Sequence, residues 1–413
     1  MSGGARTAPA PAPTRDFPLR DRDFRLFFAA RTVARFGDGM VPVALSAGLV
    51  LAGHGVSAVS LALGAWTACF GGFVLFGGVV ADRFSPRRVM VLADVLRLVA
   101  VAALAAVFLR GDPALWLVYA LSAVTGLGAA LFQPGIASTI PAIVTDVQRA
   151  NALLRSSESL MAVIGPVMAG ALVGLLGAGG LYALNAATFG VSGLCLFRMR
   201  RGPAPSTDAQ SMLKELVDGW HEFRGRTWLW ATITVWVFYS LVVLGPMVPL
   251  QTVLITEEEG APALGVMMAL YGAGSAAGGL VALWLSPRRP LATGAVSLTG
   301  VSVHLLALGT GAPLPVLGAA FLVGGAALTF WTVMWATALQ THVPAHAVNR
   351  LHAYDVAGSV LTLAAGRALA GPAADWLSTR SVLTAGAVLN CVVVAVLLAV
   401  PAVRALPRAT TEA

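Results

Sequence analysis

The sequence predicts an all-α membrane protein of twelve transmembrane helices arranged as two six-helix bundles. Three observations carry this prediction. The 413 residues are 57% hydrophobic and only 11% charged, far below the roughly 25% charged residues of soluble domains. Apolar runs long enough for a bilayer core, which needs about 20 helical residues, recur along almost the whole chain. A loop sequence also returns half a chain length later: GGVVADRFSPRR at 77–88 and GGLVALWLSPRR at 278–289. Gly77, Gly78, Val80, Ala81, Ser85, Pro86, Arg87 and Arg88 recur as Gly278, Gly279, Val281, Ala282, Ser286, Pro287, Arg288 and Arg289, which marks an internal repeat. Asp82 and Arg83 do not recur; Leu283 and Trp284 replace them.

The first segment, 1–22, begins Ala- and Pro-rich and lacks the apolar stretch of a signal peptide, so it reads as a disordered tail. Twelve spans follow: 26–51, 58–80, 89–109, 114–140, 153–176 and 180–198, then 228–250, 264–285, 291–311, 314–338, 352–376 and 380–400. Lipid leaves no partner for exposed backbone groups, so each span is expected to be helical. The domains are therefore an N-terminal bundle at 23–198, a linker at 199–227, and a C-terminal bundle with a short tail at 228–413. In the linker, Leu213, Leu216, Val217 and Trp220 share a helix face, which predicts an amphipathic helix on the membrane surface.

Lys and Arg set the orientation. Of the 27, only Arg110 and Arg380 fall in the loops opposite the termini, and Arg31, Arg35, Arg97 and Arg367 fall within spans. The rest collect in the tails, the linker and loops on the side of the termini, which places both termini in the cytoplasm of a multi-pass cell-membrane protein. The formal net charge of +8 is thereby a topological signal rather than one for nucleic acid. The acidic stretch Thr256–Gly260 is expected outside. Cys69, Cys195 and Cys391 lie in apolar runs without metal-site spacing and are expected to be small core residues. No metal site, cofactor or catalytic constellation is expected, and no phosphate-binding G-x-x-x-x-G-K-[ST] loop is present, so the chain is not read as an enzyme or an ATP-driven pump.

Ionisable groups within spans are functional candidates by default. Arg31, Arg35 and Asp38 lie on one face of the first span, with Asp38 near mid-membrane. Asp38 is a candidate proton-coupling group, with an Arg35–Asp38 structural pair as the alternative. Glu158 is the second candidate, or else an ion-pair partner of Arg155 or another arginine. Asp94 and Arg97 are expected to brace the 77–88 loop, and Asp355 to sit at the dipole-favoured start of its helix. Arg367 either meets an anionic substrate or pairs with a carboxylate. His304 reads as a hydrogen-bonded core histidine. Gln133, Trp236, Tyr239, Trp331 and Trp335, with Arg35 and Arg367, are candidate pocket residues; Trp228 and Trp230 suit the membrane interface.

Twelve spans, a repeat and the 77–88 loop together resemble the major facilitator superfamily, whose 2–3 loop reads approximately G-x-L-A-D-R-x-G-R-R. Gly78, Ala81, Asp82, Arg83, Arg87 and Arg88 match; Val80 replaces the leucine and Ser85-Pro86 replaces the glycine. The resemblance implies that Asp82 latches the two halves at the start of span 11, with Gly78, Arg83, Arg87 and Arg88 as its loop. Asp94, Arg97 and the Phe24–Leu26 entry to Gly37-Asp38-Gly39 look like the drug and siderophore exporter branch, as does Gly165-Pro166 with Gly170, a partial form of the exporters' kinked-helix motif. What it implies is a monomeric secondary transporter exporting a hydrophobic or amphipathic small molecule (drug, siderophore or natural product) by proton antiport, a multidrug-resistance type of activity. Its partners would be that substrate, protons and membrane lipids. Import by the same fold, or a non-transporting sensor or scaffold, remain the alternatives.

Overall fold

The computed structural model describes residues 18–200, 225–285, 287–343 and 345–408, with the backbone alone at 75–83, 137 and 345–357. The tail before Pro18 and the linker helix at 213–220 lie outside the described residues. Twelve long helices run in sequence: α1 Arg22–Leu51, α2 Val56–Phe84, α3 Pro86–Leu109, α4 Leu115–Ile143, α5 147–176, α6 178–198, α7 227–259, α8 261–284, α9 Pro290–Gly309, α10 Leu314–His342, α11 Ala345–Leu377 and α12 Thr379–Ala399.

Local sequence explains how these helices begin and turn. Asp21 caps α1, its carboxylate accepting from the backbone of Asp23 at 2.7 Å and Phe24 at 3.1 Å, which satisfies donors the first turn leaves free. Between α2 and α3 the chain turns at Ser85, whose φ of 75° is left-handed, and Pro86 starts α3. Ser85 thus takes a backbone conformation that glycine would adopt without penalty, at the position where the resembled loop carries glycine. Gly177 and Gly260, at φ 62° and 84°, each join two helices through one residue. This corrects one expectation. The Thr256–Glu259 stretch is the last turn of α7 rather than a loop, because Leu254 and Ile255 keep the helix going until Gly260 breaks it.

Inside α7, a π-helical turn spans Ser240–Leu244. It faces Gly366 of α11, where a Cβ would come within 2.3 Å of the Leu241 carbonyl. Large apolar side chains such as Val99, Val303 and Val388 are exposed along the helix bodies, and Trp116, Trp284 and Trp376 are exposed near helix ends. This is the surface of a protein whose solvent is lipid, with tryptophans at interface depth.

The two halves meet along α2–α11, α5–α8 and α1–α7. Glycines set two of these contacts. A Cβ at Gly265 would lie 2.6 Å from the Pro166 carbonyl and 3.0 Å from Gly170 Cα, and one at Gly64 3.2 Å from Ala368. Such backbone-to-backbone approach is what small residues provide in membranes. Polar contacts join the same faces: Ser57 donates to Asp375 at 2.6 Å, and Ser46 donates to the Thr252 carbonyl at 2.9 Å with the Thr256 hydroxyl 2.7 Å away. Ser46, Ser57, Thr256 and Asp375 all lie toward the end opposite the termini.

Candidate functional site

Helix α1 is the spine of the site. Its Gly37 lets α6 approach so closely that a Cβ would fall 2.2 Å from both Asn185 Oδ1 and Thr188 Oγ1. One residue on, Asp38 accepts from Arg97 Nη2 of α3 at 2.6 Å. Arg97 lies 3.9 Å over the Phe189 ring, a cation–π contact, and 4.0 Å from Asp94. Asp94 is fully buried and accepts from the Ser192 hydroxyl at 2.5 Å. The Asp38–Arg97 pair is graded in exposure: the Arg97 side chain is 7% exposed and that of Asp38 30%. A carboxylate reachable from the cavity is thus held against a guanidinium anchored in the protein.

One helix turn toward the termini from Arg35, Arg31 pairs with Glu158 of α5, which Arg155 also approaches at 3.4 Å. Arg31 additionally sits 5.4 Å from the Phe132 ring centre. Glu158 therefore answers two arginines.

A cavity of about 250 Å³ opens beside Asp38. Helices α1, α2, α3, α4 and α6 supply most of its wall, and Val248 of α7 and Arg367 of α11 close it from the other half. Arg35, Asp38, Arg97 and Arg367 are its charged groups; Trp66, Phe189 and Tyr182 are aromatic, and Ser122, Thr125 and Asn185 polar. Arg367 donates to the Thr67 hydroxyl at 2.5 Å.

Several expectations need correction. Asp38 pairs with Arg97, not with its helical neighbour Arg35. Asp94 and Arg97 belong to the site: α3 carries them about two and three turns from its start, toward Ser192 and Asp38. Trp236, Tyr239 and Trp331 do not line this cavity. Trp331 is 1% exposed, stacks on Trp236 at 5.6 Å and packs at Gly294; Trp236 in turn touches Tyr239 at 4.9 Å. Trp335 meets Trp228 edge-on at 6.0 Å. These five rings contact one another across α7 and α10, within the C-terminal half. Gln133 is exposed and is not among the residues that line the cavity. Cys391 is exposed rather than core-facing.

Other residues fall as follows. Arg87 donates from Nε to the Leu196 carbonyl at 3.0 Å and also to that of Phe197, binding the α2–α3 turn to the carbonyl end of α6, where a cation is favoured. Arg88 is exposed. The side chains of Gly78, Asp82, Arg83 and Asp355 lie outside the described residues. Gly165 packs on α1, where its Cβ would meet Gly39 Cα at 3.0 Å, while Gly170 faces Gly265 across the halves. His304 is fully buried and shares a hydrogen bond with Gln251 at 2.8 Å. Trp66, Ser122, Thr125 and Asn185 were missed. The signal available was a polar pair three residues apart, Ser122 and Thr125, and a lone amide in an otherwise apolar span.

Twelve membrane-length helices in two sequence-related halves, with an ion-paired cavity closed by residues of both, define a membrane transporter rather than an enzyme. The chain belongs to the Major Facilitator Superfamily, whose family profile matches residues 27–354. It is 25% identical over 363 residues to the enterobactin exporter EntS of Salmonella choleraesuis (strain SC-B67), covering 84% of each chain. It is 26% identical over 366 residues to the EntS of Citrobacter koseri, again covering 84% of each. Among solved structures it resembles the nucleoside transporter NupG with a TM-score of 0.73, at 13% identity over 91% of this chain and 98% of that one. A bacterial homologue of the iron transporter ferroportin in an inward-facing state gives 0.68, at 16% identity over 91% and 98%.

Proposed function

We propose that this protein is a secondary active transporter of the cytoplasmic membrane, with both termini inside. On this reading it exports an amphipathic small molecule by alternating access, with protons as the coupling ion. The observation that carries the reading is the Asp38–Arg97 pair at the wall of a cavity to which both halves contribute. A pair open to the cavity on its acidic side is a switch: protonating Asp38 releases Arg97, and a bound solute competes for the same groups. Glu158, held between Arg31 and Arg155, is on this reading a structural anion rather than the proton carrier. Export is favoured over import by the similarity to the enterobactin exporters.

One observation favours a second reading, in which proton and solute move together. Protonation of Asp38 would leave Arg97 free for an anion, so the two would bind together rather than exchange. Proteoliposome flux under an imposed pH gradient separates the readings. In antiport a gradient drives solute against the proton flow; in co-transport it drives solute with it. Asp38→Asn is expected to abolish the gradient dependence while retaining solute exchange, and Glu158→Gln to keep the gradient dependence in whatever protein folds. A gradient response unchanged in Asp38→Asn would refute the assignment of Asp38.

A further inference from the structure

Among the membrane-embedded arginines, two are matched by carboxylates: Arg31 by Glu158, and Arg97 by Asp38 and Asp94. Arg35 and Arg367 have no carboxylate within ion-pair distance among the described residues, and both line the cavity. Among the described residues Arg367 has a single hydrogen bond, to Thr67, and its buried Nε has no partner. An unmatched guanidinium in a low-dielectric setting is unfavourable, and its planar fork suits a carboxylate or phosphate-like group. We infer that the cavity binds an organic anion, its charged head taken between Arg35 of the N-terminal half and Arg367 of the C-terminal half, its apolar body against Trp66 and Leu45.

The inference deepens the transport reading and rests on it for its physiological meaning, but not for its test. The charge balance supports it independently of any relative. Among the described residues Asp38 is the sole acidic one lining the cavity, and Arg97 already engages it, so two positive charges remain for a ligand. A lipophilic cation would meet Arg35 and Arg367 without a free carboxylate to answer them. The head-group position also gives Arg367 a role: it is the one charged group brought to the cavity from α11, beside Val248 of α7, and an anion there would hold the two halves together.

The test uses three probes with one aromatic body: 1-naphthoate, 1-naphthylmethanol and 1-naphthylmethylammonium. Binding to the purified full-length protein in nanodiscs of neutral lipid is measured by calorimetry, in dilute buffer free of carboxylates and of added chloride. Wild type is expected to prefer naphthoate at least tenfold over the alcohol, with the ammonium weakest. Arg367→Gln is expected to remove that tenfold preference, which corresponds to about 1.4 kcal/mol, while leaving alcohol binding within about twofold; Arg367→Lys should retain most of it and shows that the position tolerates change. Equal binding of all three probes, no naphthoate binding, or an unchanged preference in both Arg367→Gln and Arg35→Gln would overturn the inference. Displacement of naphthoate by millimolar chloride would assign the site to an inorganic anion and overturn it too. Flux of naphthoate into proteoliposomes is measured separately. Charge-selective binding without flux would sink the transport reading and leave this inference standing.

Discussion

A covalent bond between Ser46 and Thr256 provides the sharpest test of alternating access. Their hydroxyl oxygens are 2.7 Å apart across the α1–α7 contact, on the side of the protein away from the termini. Sulfurs at those positions need to approach by less than an ångström to reach an S–S bond of about 2.05 Å. The experiment introduces Ser46→Cys and Thr256→Cys in a background where Cys69, Cys195 and Cys391 are alanine. Oxidation then fixes the ends of α1 and α7 together, whereas alternating access requires them to part. Hydrogen bonds at this contact are worth about 1 kcal/mol each, within reach of a coupling gradient that supplies about 2.3 kcal/mol per charge per 100 mV; a disulfide is not. Flux should therefore fall in proportion to cross-linking, to about one tenth when about nine tenths of the protein is closed, and return on reduction. Cross-linking is read by a gel shift after cleavage between the halves, and naphthoate binding serves as the control for integrity. Undiminished flux in fully cross-linked protein would refute the idea that this contact opens during transport.

Other consequences follow from particular contacts. Glu158→Gln leaves Arg31 largely buried without its anion; losing one partner of such a pair costs on the order of 3 kcal/mol, read as a fall of several degrees in the unfolding midpoint in detergent, with Arg31→Gln/Glu158→Gln recovering part of it. Gly265→Val drives a side chain into the Pro166 carbonyl at 2.6 Å, and such overpacking costs about 1–3 kcal/mol. It should lower both flux and midpoint, whereas Gly174→Val, which meets nothing within 4 Å, should change neither. Asp38→Asn should bind naphthoate more tightly than wild type at the same pH, because it removes the anion facing Arg97; calorimetry showing weaker binding in Asp38→Asn would contradict the arrangement.

The helices were legible because composition and run length dictate them, and the class followed from the repeat and the 77–88 loop. Gly260 was harder to place, since three glutamates look like a loop yet Leu254 and Ile255 carry the helix through them. The pairing of Asp38 was not legible. Arg35 is its neighbour on the same helix face, and only the packing of both α1 and α3 against α6, which Gly37 permits on the α1 side, brings Arg97 closer. Trp331 and Trp335 share a face, as a pocket wall would, but so does a packed core; periodicity says which residues face together and not what they face. Arg367 was recognised as odd, though its lack of a carboxylate is a property of three-dimensional neighbours and emerges only from the fold.

The sign of the coupling follows from the charges themselves. On the proposed reading, an ionised Asp38 neutralises Arg97 and a protonated Asp38 releases it, so an anion drawn to Arg35, Arg97 and Arg367 and a proton on Asp38 favour each other. By reciprocity, a proton on Asp38 raises the affinity for the anion by the same factor. A monoanion carried with that proton crosses without net charge and feels no membrane potential. Carried without it, the anion is expelled from a negative interior by about 2.3 kcal/mol per 100 mV. Export of an anion therefore does not require a proton to travel the other way, and a cation exporter built on this cavity would lack that advantage. Whether flux of naphthoate responds to an imposed potential at fixed pH, in wild type and in Asp38→Asn, distinguishes the neutral cycle from the electrogenic one: a response in both means the anion travels alone, and a response confined to the variant means that Asp38 carries the compensating proton.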